Sequence, residues 1–145
     1  MAISNSTKTA KGITASYSNG TWTFNGTVTG TSAGIINLYG DADVSVSIAE
    51  AGTYSIEVEN QDVLDGTSQG KISLQLFWYH NEATSGNDSR RNGFIFYKGN
   101  NNPTTFTIPK DYHLIRISLY MAVEAKGISL VNRKLKFTLK KVSNT

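Results

Sequence analysis

Apolar and polar residues alternate one by one through most of the chain, and this two-residue period constrains the fold more than any other feature. The runs Ile13–Tyr17 and Ile115–Met121 are clear examples. Successive side chains of a β-strand point to opposite faces, so the pattern is typical of strands with one buried face. The best helical candidate, Tyr120–Lys126, is long enough for a turn only. The sequence therefore predicts an all-β protein.

Eight more runs show the same character. They are Trp22–Val28, Ile36–Tyr39, Val44–Ile48, Tyr54–Val58, Ile72–Trp78, Phe94–Phe96, Phe106–Ile108 and Leu135–Leu139. About nine or ten strands with one buried face each must pack as two sheets or close into a barrel. The length of 145 residues, 39% of them hydrophobic, suits one domain with a proper core. We expect an antiparallel β-sandwich of the jelly-roll type.

The ends of the domain follow from composition and turn signals. Residues 1–12 are polar and read as an N-terminal arm, whereas residues 13–145 form the single β-sandwich domain. Asn19-Gly20 predicts a tight hairpin turn, and Asn25-Gly26 predicts a bulge or a second turn. The arm lacks the apolar segment of a signal peptide, and no stretch is apolar enough to span a bilayer, so we expect no membrane partner. The chain has no Cys, which excludes disulfides and thiolate chemistry.

Candidate catalytic groups are few. Gly30–Gly34 matches the G-x-S-x-G pattern, but a strand-like run follows it where a nucleophile elbow needs a helix, so Ser32 is not predicted to be a nucleophile. Glu57 and Glu59 fall on the solvent side of their strand by alternation. We therefore expect no enzymatic activity.

Metal ligands are also scarce. His80 and His113 have no second ligand at metal-binding spacing and are predicted to lie at the surface or rim. Asp41 and Asp43 are minor calcium candidates only, since Ca²⁺ needs six to eight oxygen ligands. The sequence predicts neither a metal nor another cofactor.

Basic residues concentrate at the C-terminal end. Residues 126–145 carry six Lys or Arg and no acidic residue, whereas the rest of the chain is net acidic. Lys residues protect exposed edge strands from aggregation, which is our preferred interpretation of this strand. Nucleic acid binding would need exposed aromatic side chains beside the cations, and the one aromatic residue there, Phe137, is predicted to face inward. We expect no nucleic acid partner.

Aromatic residues at strand ends suggest a binding surface. Trp22 and Trp78 are favoured as core residues, although Trp78 also ends a strand beside polar groups, and the position of Tyr79, Tyr97 and Tyr112 stays open. Exposed aromatic rings stack on sugars, and polar neighbours can bind sugar hydroxyls. The long loop Ser85–Asn92 also carries Arg90 and Arg91, which could contact an acidic partner or lie at a solvated loop tip. The candidate glycan-binding residues are Trp78, Tyr79, His80, Asn81, Arg90, Tyr97 and Tyr112.

Several segments, taken in order, resemble small β-sandwich modules of tailed-bacteriophage structural proteins of the capsid-decoration, head-fibre and tail-fibre types, and the same jelly rolls are similar to carbohydrate-binding modules. These segments are Gly20–Thr27, Glu50–Ser55, Thr105–Ile108, Ile115–Leu119 and the closing strand Arg133–Val142. In such modules Thr105–Ile108 and Ile115–Leu119 would form a late strand pair. The closing strand departs from the usual Lys-Pro ending, and Ser85–Asn92 looks like an insertion.

The resemblance implies a virion component made in the bacterial cytoplasm. We expect a capsid decoration or head-fibre protein that docks on a phage capsid protein in many copies, as a homotrimer or homodimer. The expected docking residues are Ile3, Lys8, Lys11, Arg133, Lys134, Lys136, Lys140 and Lys141. The alternative is a receptor-recognition module that binds cell-surface glycans.

Overall fold

The computed structural model describes residues 6–40, 43–64, 71–96 and 104–145 of the chain. It confirms an all-β protein, with nine strands in this described part. The strands are β1 Ser6–Ala10, β2 Ile13–Ser18, β3 Thr21–Thr27, β4 Gly34–Gly40, β5 Ala49–Asn60, β6 Ile72–His80, β7 Arg91–Phe96, β8 Thr105–Met121 and β9 Ser129–Ser143. Short 3₁₀ turns lie at Asp62–Leu64 and Val123–Ala125. No helix in the described ranges has the length and apolar character needed to cross a bilayer.

The strands form one curled antiparallel sheet in the order β1-β2-β3-β9-β5-β8-β6-β7, with β4 beside β8. Strand β9 joins the two parts of the sheet, because its first half pairs with β3 and its second half pairs with β5. Strand β8 has β6 on one side, and β5 followed by β4 on the other. The curl brings β1 toward β4, where Lys8 Nζ donates a hydrogen bond to the Asn37 carbonyl.

The position of β9 corrects the interpretation of its lysines. The C-terminal strand was expected at a sheet edge, but it lies between β3 and β5. Along the main path, the end strands of the described sheet are β1 and β7. Composition alone does not show which strands pair, so a lysine-rich strand can join two neighbours, here β3 along its first half and β5 along its second half.

The N-terminal segment also differs from the expected arm. Ser6–Ala10 forms β1 and pairs with β2 through a turn at Lys11-Gly12, where both residues have positive φ. The sequence did not predict this strand, because its side chains are polar: Thr7 and Thr9 face solvent, and Lys8 reaches across to β4. Ile3 lies outside the described residues.

The turn predictions are confirmed in the second hairpin. Asn19 and Gly20 both have positive φ between β2 and β3, which the tight turn requires. The pairing of β3 with β9 shifts register between Phe24 and Gly26, so the Asn25-Gly26 interruption is a bulge. Gly34, two residues after Ser32, begins β4, so a strand follows the G-x-S-x-G match, as predicted, where a nucleophile elbow needs a helix.

Two other expected elements differ. Val44–Ile48 was predicted to be a strand but forms a turn-rich loop, in which Val44 alone of the three apolar residues is fully buried. Thr105–Ile108 and Ile115–Leu119 were expected as two strands of a pair, yet both belong to the continuous strand β8. Asp111 has positive φ between them, which allows the strand to bend without ending.

A single main core joins both parts of the sheet. Trp22 and Phe24 from β3 pack in the same buried cluster as side chains of β4 to β8. Phe106 lies at the centre of an aromatic group, with its ring stacked at 5.8–5.9 Å from Tyr54, Trp78 and Phe94. The curl is therefore stabilised by burial of large apolar side chains from both parts.

Candidate functional site

The face of β6, β7 and β8 that points away from the main core carries a groove, which we call the outer groove. On β6, Leu74, Leu76 and Trp78 point into the core, so the intervening side chains point outward. The groove has a volume of about 520 Å³, within the range of small-molecule sites. Its lining residues are Gln75, Leu76, Phe77, Tyr79, Arg91, Asn92, Gly93, Phe94, Ile95 and Arg116.

Strand register places an aromatic ring and a cation at the centre of the groove. Phe77 pairs with Gly93 of β7 on one side and with Arg116 of β8 on the other. The Arg116 guanidinium lies 4.7 Å from the centre of the Phe77 ring, a cation–π contact. Gly93 leaves space beside the ring, and a Cβ there would lie 2.5 Å from the Leu76 carbonyl oxygen. The absent side chain keeps this part of the groove open.

A second arginine lies at the rim. Arg91 is exposed, and its Nη1 donates a 2.6 Å hydrogen bond to the Gly86 carbonyl. The same atom lies 3.4 Å from Tyr79 Oη, which in turn donates to Gly86 O at 3.1 Å. The acceptors around this Nη1 are neutral, and a guanidinium carries five N–H donors in all. The Arg91 charge is therefore held in position by groups that do not neutralise it.

Polar side chains form part of the groove floor and its surroundings. Gln75 lines the groove and is only 8% exposed. Its strand neighbour Ser118 is fully buried and donates to Asn37 Oδ1 at 3.1 Å. A side-chain amide offers one acceptor oxygen and two N–H donors, so Gln75 can hydrogen-bond a ligand in the groove. Gln75 is a candidate ligand contact for this reason.

His113 ties two loops together beside the outer face. It was predicted to lie at the surface or rim, but it is 5% exposed. Its Nε2 lies 2.7 Å from the Val44 carbonyl and its Nδ1 lies 2.7 Å from Asn81 Oδ1. A carbonyl can only accept, so Nε2 carries a hydrogen. Val44 also packs with Tyr79, Ala83 and Ile115 in a small second core that supports the loops.

The loop after β6 contains a second polar cluster. Arg90 binds the Asp88 carboxylate through Nη2 at 2.9 Å and Nε at 3.1 Å, and its backbone N–H donates to the same group. These hydrogen bonds lower the Asp88 pKa to about 2. His80 lies nearby, with its ring 5.2 Å from Tyr112 in an edge-on arrangement. The loop is thus shaped by local hydrogen bonds.

The predicted glycan residues fall into three places. His80, Arg90 and Tyr112 lie together at the end of β6, with Arg90 Nη1 3.4 Å from His80 Nδ1. Trp78 is 6% exposed in the main core and Tyr79 is 3% exposed, so neither presents a ring face to a sugar. The alternation that buries Leu74 and Leu76 also buries Trp78, and the loop covers Tyr79. Asn81 contacts His113 instead, and Tyr97 lies outside the described residues.

The predicted docking cations do not form one patch. Lys8 contacts β4, and Lys11 donates to Ser32 Oγ at 2.8 Å. Arg133 contacts the Asp62 carbonyl at 3.4 Å, and the Lys141 ammonium lies 5.9 Å from the Tyr54 ring centre.

Three of these lysines share the solvent face of β9 by register: Lys134, Lys136 and Lys140. Lys134 donates to Thr23 Oγ1 at 2.9 Å, and Lys136 forms a 3.2 Å ion pair with Glu59. Glu57 and Glu59 are exposed, as predicted. The acidic neighbour on β5 reduces the positive potential of this strand.

Sequence reasoning missed the centre of the groove. Gln75, Phe77 and Arg116 were not among the candidate site residues, whereas Arg91 was predicted, with Arg90, to contact an acidic partner. The available signal was that Phe77 and Gln75 occupy the outward positions of β6. The pairing of Arg116 with Phe77 could not be predicted, because it depends on the register between β6 and β8, which neither strand's sequence determines alone.

Metal binding has little support in the described ranges. No group of three or more His, Asp or Glu side chains comes together there in a way that could hold a metal ion. Asp43 accepts hydrogen bonds from the backbone N–H and the hydroxyl of Ser45, which lower its pKa. Its carboxylate is thus used within its own turn. Asp41 lies outside the described residues.

Comparison with known proteins found no matching family model, no matching curated protein and no matching solved structure.

Proposed function

We propose that this chain is a non-catalytic recognition domain that binds a saccharide in the outer groove. The groove itself carries the proposal: an aromatic ring, two arginines and two side-chain amides converge on a space of about 520 Å³. Sugar recognition needs such a mixture, because hydroxyl groups require directional donors and acceptors while the C–H faces pack on apolar surface. A rigid β-sheet holds these groups without a large loss of entropy on binding.

The fold suits this role. The finer assignment that we propose is a jelly-roll-type β-sandwich, supported by one core shared between β3 and β4 to β8. In this arrangement the outer groove lies on a sheet face, flanked by the loop that carries Gly86, Asp88 and Arg90. His80, Arg90 and Tyr112 are candidate contacts for the part of a longer saccharide that extends beyond the groove.

Binding to a glycan array, followed by calorimetric titration, tests the proposal. Gln75→Leu removes the amide but keeps a side chain of similar size, so we expect saccharide binding to be lost while the unfolding midpoint stays unchanged. Gln61→Leu makes the same substitution outside the groove and should bind like the wild type. A wild-type protein that binds no saccharide, or two variants with equal affinity, would contradict the proposal.

A second candidate function is that of a phage virion component, either a capsid decoration or a head-fibre protein. The order of the resembling segments favours it, and Gly20–Thr27, Glu50–Ser55 and Arg133–Val142 all fall largely within strands. The two functions are compatible, since a protein on the virion surface can also bind host glycans. The predicted docking cations contact different parts of the sheet and do not form one patch. Docking on a capsid would therefore depend on the shape of the surface more than on a single basic strand.

The virion hypothesis has its own test. An antibody against the purified chain should label phage particles in lysates of bacteria that carry this sequence. Light scattering should then show a dimer or trimer of the purified protein. Unlabelled particles in lysates that contain the chain would contradict this second function.

A further inference from the structure

We infer that the outer groove selects saccharides that carry an oxyanion, a carboxylate or a phosphate, over neutral ones. This inference rests on the proposed function and specifies its ligand class. Two observations support it: the Arg116 guanidinium covers the Phe77 ring, and the acceptors around Arg91 Nη1 are neutral.

The aromatic ring in the groove is covered by a cation. A neutral sugar usually stacks its C–H face on a bare aromatic face, but the Arg116 guanidinium lies over Phe77 at 4.7 Å from the ring centre. Neighbouring aromatic rings do not replace it, since Tyr79 is 3% exposed and Phe94 packs against Phe106 toward the core. The groove therefore offers a ligand less bare ring surface than a stacking site does.

Arg91 supplies the anchoring charge. Its Nη1 is fixed by the Gly86 carbonyl and lies near Tyr79 Oη, both neutral, so the orientation of the guanidinium is set without an acidic partner at that atom. The groove lining contains two arginines and no Asp or Glu among the described residues. A planar guanidinium binds carboxylates and phosphates through two parallel hydrogen bonds, which makes it well suited to this ligand class.

Neutral donors complete the site. Gln75 lies at the floor as a buried residue, and Asn92 lies at the rim, where its Oδ1 accepts from the Gly93 N–H at 2.8 Å. The Asn92 side-chain NH₂ is then oriented by that bond. These amides can bind sugar hydroxyls beside the acidic group, so the ligand is expected to be a saccharide and not a simple anion.

Matched pairs of ligands provide the test. The panel consists of uronic-acid oligosaccharides with their methyl esters, sialylated oligosaccharides with their asialo forms, and phosphorylated sugars with their dephosphorylated forms. Wild-type protein should bind at least one acidic member about tenfold or more tightly than its neutral partner, the factor expected for one charge-assisted hydrogen bond. Inorganic phosphate alone should compete weakly. The carboxylate and phosphate arms identify the source of the oxyanion.

Two variants assign the selectivity to the groove. Arg91→Gln should reduce the preference for the acidic member to about twofold or less, and added salt should weaken the wild type in the same direction. Lys140→Gln makes the same change in net charge on the exposed face of β9 and should keep the preference. Binding of acidic and neutral members with equal affinity would overturn the inference and leave the proposed function standing. Binding of no saccharide at all would overturn both.

Discussion

The sheet has one outer face on β1 to β3 and another on β6 to β8. Apolar and polar residues alternate in the same way in both, but the outward side chains differ in length and type. On β1 to β3 the outward positions hold short hydroxyl side chains, which are Thr7, Thr9, Thr14, Ser16, Ser18, Thr21 and Thr23. On β6 to β8 the corresponding positions hold long side chains such as Gln75, Phe77 and Arg116. We call the first surface the hydroxyl face. Short side chains leave a shallow surface in water, whereas long ones lean over each other and form a groove.

This difference shows that alternation and side-chain length carry separate information. Alternation determines which face of a strand is buried in the core. The length and type of the outward side chains determine whether that face is simply solvated or can surround a ligand. The hydroxyl face contains separate pairs between neighbouring strands, such as the 3.4 Å contact between the hydroxyls of Thr9 and Thr14 and the 2.9 Å hydrogen bond from Lys134 to Thr23. Around the groove, contacts extend from β6 and β8 to two loops.

The largest difference between the two faces is expected in stability. His113→Ala should lower the free energy of unfolding by about 3 kcal/mol, because it creates a cavity and leaves the buried Val44 carbonyl without its donor. Thr14→Ala on the hydroxyl face should cost less than about 0.5 kcal/mol. Urea denaturation of both variants gives the comparison. Equal losses would show that the loops beside the groove are not anchored through His113.

The next effect concerns the open centre of the groove. Gly93→Ala should lower the free energy of unfolding by about 2 kcal/mol, since the new Cβ would lie 2.5 Å from the Leu76 carbonyl oxygen and the strands must shift. Gly86→Ala is the matched control, because its Cβ would meet only Tyr79 Oη at 3.9 Å. Thermal unfolding of the two variants measures the difference. A stable Gly93→Ala variant would mean that β7 moves easily away from β6.

Much of the fold could be predicted from local sequence. The turn at Asn19-Gly20 and the bulge at Gly26 depend on residues that tolerate positive φ, so a dipeptide was enough to identify them. The outward position of Glu57 and Glu59 also followed from their apolar neighbours. These features are determined within one strand or one turn.

Features that depend on pairing between distant strands could not be predicted. β1 lacks an apolar face of its own and becomes a strand by pairing with β2, while Lys8 and Lys11 reach β4 and the segment before it. His113 seemed isolated because Asn81 and Val44 are distant in sequence. The candidate groove was missed for the same reason, since Phe77 and Arg116 meet only through the register of β6 and β8.

A smaller effect is expected on the hydroxyl face itself. Thr23→Val removes the hydroxyl that accepts a 2.9 Å hydrogen bond from Lys134 Nζ and replaces it with a β-branched side chain of similar shape. The ammonium group can return to water, so the free energy of unfolding should change by less than about 0.5 kcal/mol in either direction. Urea denaturation checks this value. A loss above about 1 kcal/mol would show that the hydroxyl face is organised as tightly as the groove.

The smallest effect lies in the loop beside the groove and depends on pH. Arg90 lowers the folded-state pKa of Asp88 to about 2 from its ordinary 3.8, so the ionised carboxylate stabilises the folded loop above about pH 4. This contribution is lost as the pH falls from about 4 toward 2, because in this range the unfolded form binds a proton that the folded form does not bind. Proton binding then stabilises the unfolded form relative to the folded form. Asp88→Asn should therefore unfold slightly more easily than wild type at about pH 6 and equally easily near pH 2.

Unfolding midpoints across this range measure the effect, and Arg90→Gln should remove the same pH dependence by removing the donor. Asp88 lies in a solvated loop, so the shift in midpoint should be small compared with those at His113 and Gly93. A difference between wild type and Asp88→Asn that persisted unchanged at pH 2 would mean that the side chain acts through its shape and not through its charge. The loop would then be held beside the groove mainly by the Tyr79 and Arg91 contacts to Gly86.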